Sequence, residues 1–238
     1  MRIHKFISRA GVSSRRKAEA MVLEGWVRVN GSIVTELGTK VDPARDHVEV
    51  GGKTIRLPEV SWIRFHKPAD VLCTAEDTHG RRTLYDLLPK EHRGLRYVGR
   101  LDLDSEGLLL LTNDGDVANR LLHPRYKVER EYEVSVQGVP FPKDIARLRD
   151  GLTLLDGVAR PKRATTHDPT NENGNLTIVM TEGRKREVRR MMYELGFPVV
   201  KLKRVRFGPV SLGNLAPGKW ETLSPDEVMA LKRATPGG

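Results

Sequence analysis

At 238 residues with a single cysteine, Cys73, the chain can hold one large domain or two smaller ones, and it excludes an internal disulfide or a cysteine-rich zinc site. No apolar run approaches bilayer length, and Ile3, Phe6 and Ile7 are too scattered for a secretion-signal core, so a reducing cytoplasm is the default compartment. With 41 Lys and Arg against 31 Asp and Glu, a formal charge of +10 and a pI of about 9.9, the balance favours a polyanionic partner without naming one.

Residues 1–58 read as a small separate domain. Ile3, Phe6, Ile7 and Ala10 have helical spacing, with Gly11 as a stop. Ser13 or Ser14 can cap a second helix that buries Ala18, Met21 and Val22 and ends at Gly25. Val27-Arg28-Val29 alternates as a strand, Asn30-Gly31 is a two-residue hairpin signal, Ile33-Val34 returns, and 47–50 supplies a further strand. Arg15, Arg16 and Lys17 open the second helix, where free backbone N–H groups already favour anions, so they are candidates for a phosphate grip. Lys-Phe-Ile-Ser-Arg-Ala-Gly, then Ser-Arg-Arg-Lys-Ala-Glu and Val-Arg-Val-Asn-Gly, resembles the S4 RNA-binding domain. That resemblance implies binding to structured ribosomal RNA and does not by itself imply catalysis.

The stretch 56–61 lacks periodicity, contains Pro58 and reads as a linker; residues 59–238 are expected to form a second, larger domain. Trp62 to Lys67 reads as a strand stopped by Pro68. Asp102, Asp104 and Glu106 cluster on a segment expected to turn at Gly107, and Leu108-Leu109-Leu110-Leu111 then reads as a strand buried on both faces. Asp102-x-Asp104-x-Glu106-Gly107 also matches the start of a calcium loop, but leucines follow and Asn113 stands at the closing position, so that reading is rejected.

Gly99-Arg100-Leu101-Asp102 and Gly107 through Gly115 resemble the ribosomal RNA pseudouridine synthases, a family whose types include A, for small-subunit RNA, and B, E and F, for large-subunit RNA. The resemblance implies that Asp102 is catalytic, as carboxylate nucleophile or as base toward a sugar proton. It implies that Arg100 fills the space left by a flipped base. The family usually has glycine at position 70, where this chain has Asp70, so the turn must accept Asp in a left-handed conformation. His79 reads as a polar loop residue.

Asp114 can cap a helix bearing Val117, Ala118, Leu121 and Leu122. Val128, Arg130, Tyr132, Val134 and Val136 alternate on one face of a strand, and pattern alone makes Tyr132 core. The resemblance instead implies an active-site tyrosine at Tyr132, which can stack on uracil and exchange protons. Pro142 starts a helix ending near Gly151, a hairpin-like region surrounds 150–157, 171–175 reads as an exposed turn, and 176–180 as a strand. Val188, Met191, Met192 and Leu195 form a buried helical stripe whose start carries Arg184, Lys185, Arg186, Arg189 and Arg190. Arg189 best matches the family's active-site basic residue, expected to keep Asp102 ionised and aimed, with Arg184 second. Arg184, Arg186, Lys203 and Arg204 are expected on RNA phosphates, the last two on a basic strand or edge spanning 201–207. Ser224-Pro225-Asp226-Glu227 is a capping box for a final helix, and 235–238 should fray.

The fold class expected is α+β: an S4-type domain, then a domain with a mixed, mainly antiparallel sheet flanked by helices. The function implied is conversion of a specific uridine in ribosomal RNA to pseudouridine, with 23S RNA favoured by Arg204-Val205-Arg206-Phe207-Gly208 and the segment 218–223. The partner is that RNA or a ribosomal assembly intermediate, with no membrane and a monomer as default. No Walker loop, dinucleotide fingerprint or zinc-protease motif is present, so no cofactor or metal is expected. The alternatives are a 16S enzyme, a non-catalytic ribosome-assembly factor, which would tolerate Asp102→Asn, and a metal-dependent nuclease using Asp102 and Asp104, which a chelator would silence.

Overall fold

In the computed structural model, which describes residues 1–75, 77–170 and 172–236, the chain divides into two units, Met1–Val60 and Ser61–Gly238. In the first, α1 (Ile3–Arg9) and α2 (Arg15–Leu23) pack on a four-stranded sheet of β1 (Val27–Val29), β2 (Ser32–Ile33), β3 (Val48–Val50) and β4 (Lys53–Ile55), in the order β2-β1-β3-β4. Ser14 caps α2, accepting from Lys17 N at 3.3 Å. Asn30 and Gly31 take φ of +51° and +83°, the left-handed pair that a two-residue hairpin requires. The core is Ile3, Phe6, Ile7, Ala18, Val22, Val27 and Val48. Arg15, Arg16 and Lys17 are left exposed at the start of α2.

The second unit contains β5 (Trp62–Lys67), β6 (Arg96–Val98), β7 (Glu106–Thr112), α3 (Gly115–Leu122), β8 (Arg130–Gln137), α4 (Pro142–Asp150), β9 (Leu152–Leu154), β10 (Gly157–Ala159), β11 (Arg163–Thr170), β12 (Asn173–Met180), α5 (Glu187–Glu194), β13 (Val199–Phe207), β14 (Val210–Ser211), β15 (Trp220–Thr222) and α6 (Pro225–Arg233). Its main sheet has nine strands and runs β11-β12-β8-β13-β7-β5-β15, with β14 on β13 and β6 on β7. Within it β13 and β7 pair parallel and the other pairings are antiparallel. Leu108 and Leu110 pack with Trp62, Val98 and Phe207 on one face; Leu109 and Leu111 pack with Ile63, Phe65 and Leu84 on the other. This two-sided burial explains the unbroken leucine run. The α5 stripe of Val188, Met191, Met192 and Leu195 covers Val134, Val136, Ile178 and Leu202 farther along the sheet.

Several sequence expectations are corrected. Gly107 does not turn the chain: it lies inside β7 at φ +112°, opposite Arg204 of β13. A Cβ there would stand 2.2 Å from Arg204 O and 2.6 Å from Arg204 N. Nor is β13 an edge, since β8 and β7 flank it. β11 escapes a sequence reading because Pro169 argues against a strand, yet proline is admissible there at the sheet's border. β12 begins at Asn173, within the expected turn, whose Asn171 lies outside the described residues. Thr235 is fully buried and donates from Oγ1 to Leu231 O, so the end of the chain is anchored at least that far; Gly237 and Gly238 lie outside the described residues.

The turn before β7 is tied down from two sides. Lys67, at the end of β5 and fully buried, donates from Nζ to Pro68 O at 2.9 Å, Leu103 O at 3.2 Å and Ser105 O at 2.8 Å. Asp70, left-handed at φ +60°, adds a bond from its N–H to Leu103 O at 2.8 Å. From the other side Arg186 grips the Asp104 carboxylate with both Nη atoms, at 3.1 and 3.0 Å. Burial pushes the Asp104 carboxyl up, but the Arg186 hydrogen bonds and the Arg189 charge outweigh it and hold the group below its ordinary range.

Two outcomes follow from this packing. Gly107→Ala forces β7 and β13 apart and should lower the unfolding free energy by about 3 kcal/mol, read by urea denaturation; a change within about 0.5 kcal/mol contradicts the close approach. Asp104 has a depressed folded-state pKa, so its contribution is full above its unfolded value near 3.8 and fades as pH falls through the lower folded value. Wild type should therefore exceed Asp104→Asn in stability at pH 7, with the difference shrinking below pH 4. A difference that does not change between pH 7 and pH 2.5 refutes the ion-pair account.

Candidate active site

Ser105 N closes the turn onto Asp102 O at 3.1 Å and presents Asp102 to a cavity of about 650 Å³. The walls come from separate elements. Tyr97 and Leu101 stand near the turn, Leu122 ends α3, Tyr132 and Arg130 project from β8, Met180 ends β12, and Leu202 and Arg204 belong to β13. Arg100, Arg130, Arg184, Lys185, Arg186 and Arg204 face Asp102, Glu182 and Glu187 across it, so the lining is net positive. Among the described residues no hydrogen bond or salt bridge engages the Asp102 side chain. Arg100 is exposed at its neighbouring position. Asp102, Tyr132 and Arg100 are thus brought together as the sequence leads one to expect.

Arg189 is not where it was expected. Its Nη2 donates to Asp104 O at 2.8 Å, its Nη1 to Val199 O at 3.2 Å, and its Nε lies 3.4 Å from Asp104 Oδ2. It does not line the Asp102 cavity. Asp104 takes the hydrogen bonds and ion pairs of Arg186 and Arg189, while Asp102 meets these arginines through its charge alone, so Arg189 holds the turn rather than bonding to Asp102. Burial lowers the Arg189 pKa, opposed by the Asp104 charge.

The cations expected on phosphate divide sharply. Arg184 is saturated within the protein, 2.8 Å from Glu187, 3.0 Å from Glu182 and 3.2 Å from Asp156, with further bonds to the Gly157 and Val158 carbonyls. Arg190 forks onto Asp156 at 2.8 and 2.9 Å. The positive crowd at the start of α5 is therefore largely neutralised by carboxylates. Glu187 is buried, which raises its pKa, while the Arg184 backbone N–H lowers it. Lys203 stands 4.0 Å from Glu133 and is half-buried. Arg204 is only 2 % exposed, so it is no surface contact for RNA. Arg204 stands two residues after Leu202 on the inward face, so strand alternation itself buries it; the register shift against β8 between Arg204 and Arg206 comes after it and lets Phe207 turn inward as well.

Two residues of the site drew no functional reading from the sequence. Lys67 fixes the turn through three carbonyls. Arg130 is buried in the cavity wall, donates to Leu121 O at 3.3 Å, and has its pKa lowered by burial, opposed by Tyr132. The signal for Arg130 was available: a cation on the apolar face of an alternating strand.

Comparison with known proteins fits this arrangement. The family model described as RNA pseudouridylate synthase matches residues 61–194, and that of the S4 domain matches residues 1–48. The chain is 43% identical to an uncharacterised RNA pseudouridine synthase of Aquifex aeolicus over 98% of this chain and 94% of that one. It is 40% identical to ribosomal large subunit pseudouridine synthase B of Bacillus subtilis over 97% and 95% of the two chains. A crystal structure of a pseudouridylate synthase superposes with a TM-score of 0.68 at 28% identity, covering 97% of this chain and 99% of the other. An S4 domain followed by a strand-built cavity that holds an unpaired aspartate, together with full-length relatives at this identity, places the chain in the RNA pseudouridylate synthase family.

Proposed function

We propose that the chain isomerises a specific uridine of ribosomal RNA, in the 23S RNA of the large subunit, to pseudouridine, with Asp102 as the acting carboxylate. The observation that carries this is the Asp102 carboxylate, free of protein hydrogen bonds, in a nucleotide-sized cavity beside Tyr132. The preference for 23S RNA draws on the similarity to the B-type enzymes of Bacillus subtilis and Pseudomonas aeruginosa.

The target base must leave its stack to enter, which costs a few kcal/mol. Arg100, exposed beside Asp102, takes the vacated place in the RNA. Tyr132 stacks on the base, and Asp102 acts at the sugar as nucleophile or as base. Residues 1–58 serve as the RNA-binding domain and 59–238 as the catalytic one. Arg15, Arg16 and Lys17, exposed where α2 begins, contact phosphates. No cofactor enters, because the isomerisation moves one bond and changes no oxidation state.

The first test maps pseudouridines in ribosomal RNA from cells lacking the protein, complemented with wild type or Asp102→Asn. One 23S site should disappear and return with wild type alone. If every site persists, or Asp102→Asn restores the lost one, the catalytic reading of Asp102 fails; a lost 16S site moves the substrate to the small subunit. The second test replaces Arg15, Arg16 and Lys17 together by Ala. RNA affinity should weaken, and the slope of log K against log salt should flatten by roughly two to three, as three phosphate contacts imply. An unchanged slope removes these residues from the interface.

A further inference from the structure

We propose that Arg204 is a catalytic residue: its guanidinium donates to a carbonyl oxygen of the bound uracil and holds the negative charge that gathers on the base as it parts from the ribose. The inference rests on the assignment of the Asp102 cavity to the target uridine.

Arg204 is 2 % exposed and lines that cavity. Its Nε is spent on Leu108 O at 2.8 Å, but its Nη2 is buried with no hydrogen-bond partner. No carboxylate pairs with it among the described residues. Its nearest counterpart is the Phe207 ring, whose centroid lies 5.3 Å from Cζ, and Arg130 sits over the same ring at 5.0 Å. Burying a guanidinium without a counter-ion is expensive, and a second one nearby makes it more so. The neighbouring arginines of the 184–190 segment are mated to Asp104, Asp156, Glu182 and Glu187. Arg204 and Arg130 are left unmated in the cavity where the reaction is assigned. Such a local expense belongs at a functional site.

The chemistry specifies the acceptor. When the C1′–N1 bond breaks, its electron pair stays on the base, and the charge spreads over N1 and the carbonyl oxygens by conjugation. The base then turns and C5 bonds to C1′. C5 loses its proton and N1 gains one, so composition and oxidation state are unchanged. A fixed donor at a carbonyl oxygen strengthens as that charge grows, and the dry surroundings magnify it. Phosphate is the lesser candidate, because phosphates travel along a surface and Arg204 is enclosed.

The test is tritium release from C5-labelled total RNA of cells lacking the protein, under single-turnover conditions, with full-length wild type, Arg204→Gln, Arg204→Lys and Asp102→Asn. Total RNA contains the target whichever RNA carries it. Arg204→Gln should slow the saturated rate by about 100-fold or more, as loss of one oxyanion donor does, with the half-saturating protein concentration unchanged within about twofold. Arg204→Lys, which keeps the charge, should recover part of the rate. A full saturated rate in Arg204→Gln, with Asp102→Asn inactive, overturns the proposal and leaves the Asp102 reading standing. A shift confined to half-saturation also overturns it, since that marks ground-state binding. Release by Asp102→Asn at the wild-type rate overturns the reading of the cavity, and the proposal with it. If Arg204→Gln fails to fold, Arg204→Lys decides: its saturated rate should fall about tenfold at unchanged half-saturation, and a wild-type rate refutes the role.

Discussion

The catalytic unit depends on one close approach, that of β7 to β13 where Gly107 faces the backbone of Arg204. Any side chain at 107 would collide with backbone atoms, which cannot rotate away. Glycine at this position lets two interior strands run parallel at the centre of an otherwise antiparallel sheet. The junction also joins the two halves of the site. β7 is preceded by the turn that carries Asp102, and β13 brings Arg204 to the cavity wall, with Leu108 O accepting from Arg204 Nε as a fastener. Because strands rather than long loops set this spacing, the carboxylate and the buried cation are held in fixed relation.

Electrostatics then sorts the arginines. Those of the 184–190 segment look like an undivided basic patch in one dimension. In three dimensions they form a network with Asp104, Asp156, Glu182 and Glu187. Most of these pairs are partly solvated and individually weak. Their worth is geometric: Arg186 and Arg189 hold Asp104, Lys67 holds the carbonyls of Leu103 and Ser105, and Asp102 between them is left free. On the proposed function, the reactive carboxylate is made available by satisfying its neighbours.

Local chemistry was readable wherever a residue type has a single structural use. Ser14, Asn30-Gly31, Asp114 and the Ser224 capping box all behave as their side chains require. The leucine run announced a strand covered on both faces, and the motif around Asp102 announced the family. What stayed hidden depends on contacts distant in sequence. Gly107 resembles a turn residue until β13 is placed against it. Arg189 resembles a partner for Asp102 until Asp104 is seen to take it. Arg204 resembles a surface cation until β7 is placed against it and Leu108 O takes its Nε. Each depends on pairing between segments some 80 to 100 positions apart, which no local periodicity encodes.

The same side chain therefore does opposite work in the two units. Arg15, Arg16 and Lys17 lie in water, where attraction to phosphate is long-ranged, weak per contact and screened by salt. Such residues suit capture of a large polyanion and say little about which atom will react. Arg204 is enclosed, where screening is slight and an unpaired donor acts on whatever acceptor is pressed against it. The first kind of cation can be multiplied freely on a surface. The second must be few, because each one strains the core that contains it, and so its position is informative in a way that net charge is not. On the proposed mechanism, an isomerisation that needs no redox partner leaves the protein with two tasks, extracting a base and steadying charge as one bond is exchanged for another. On the proposed function, exposed and buried arginines answer to those tasks separately.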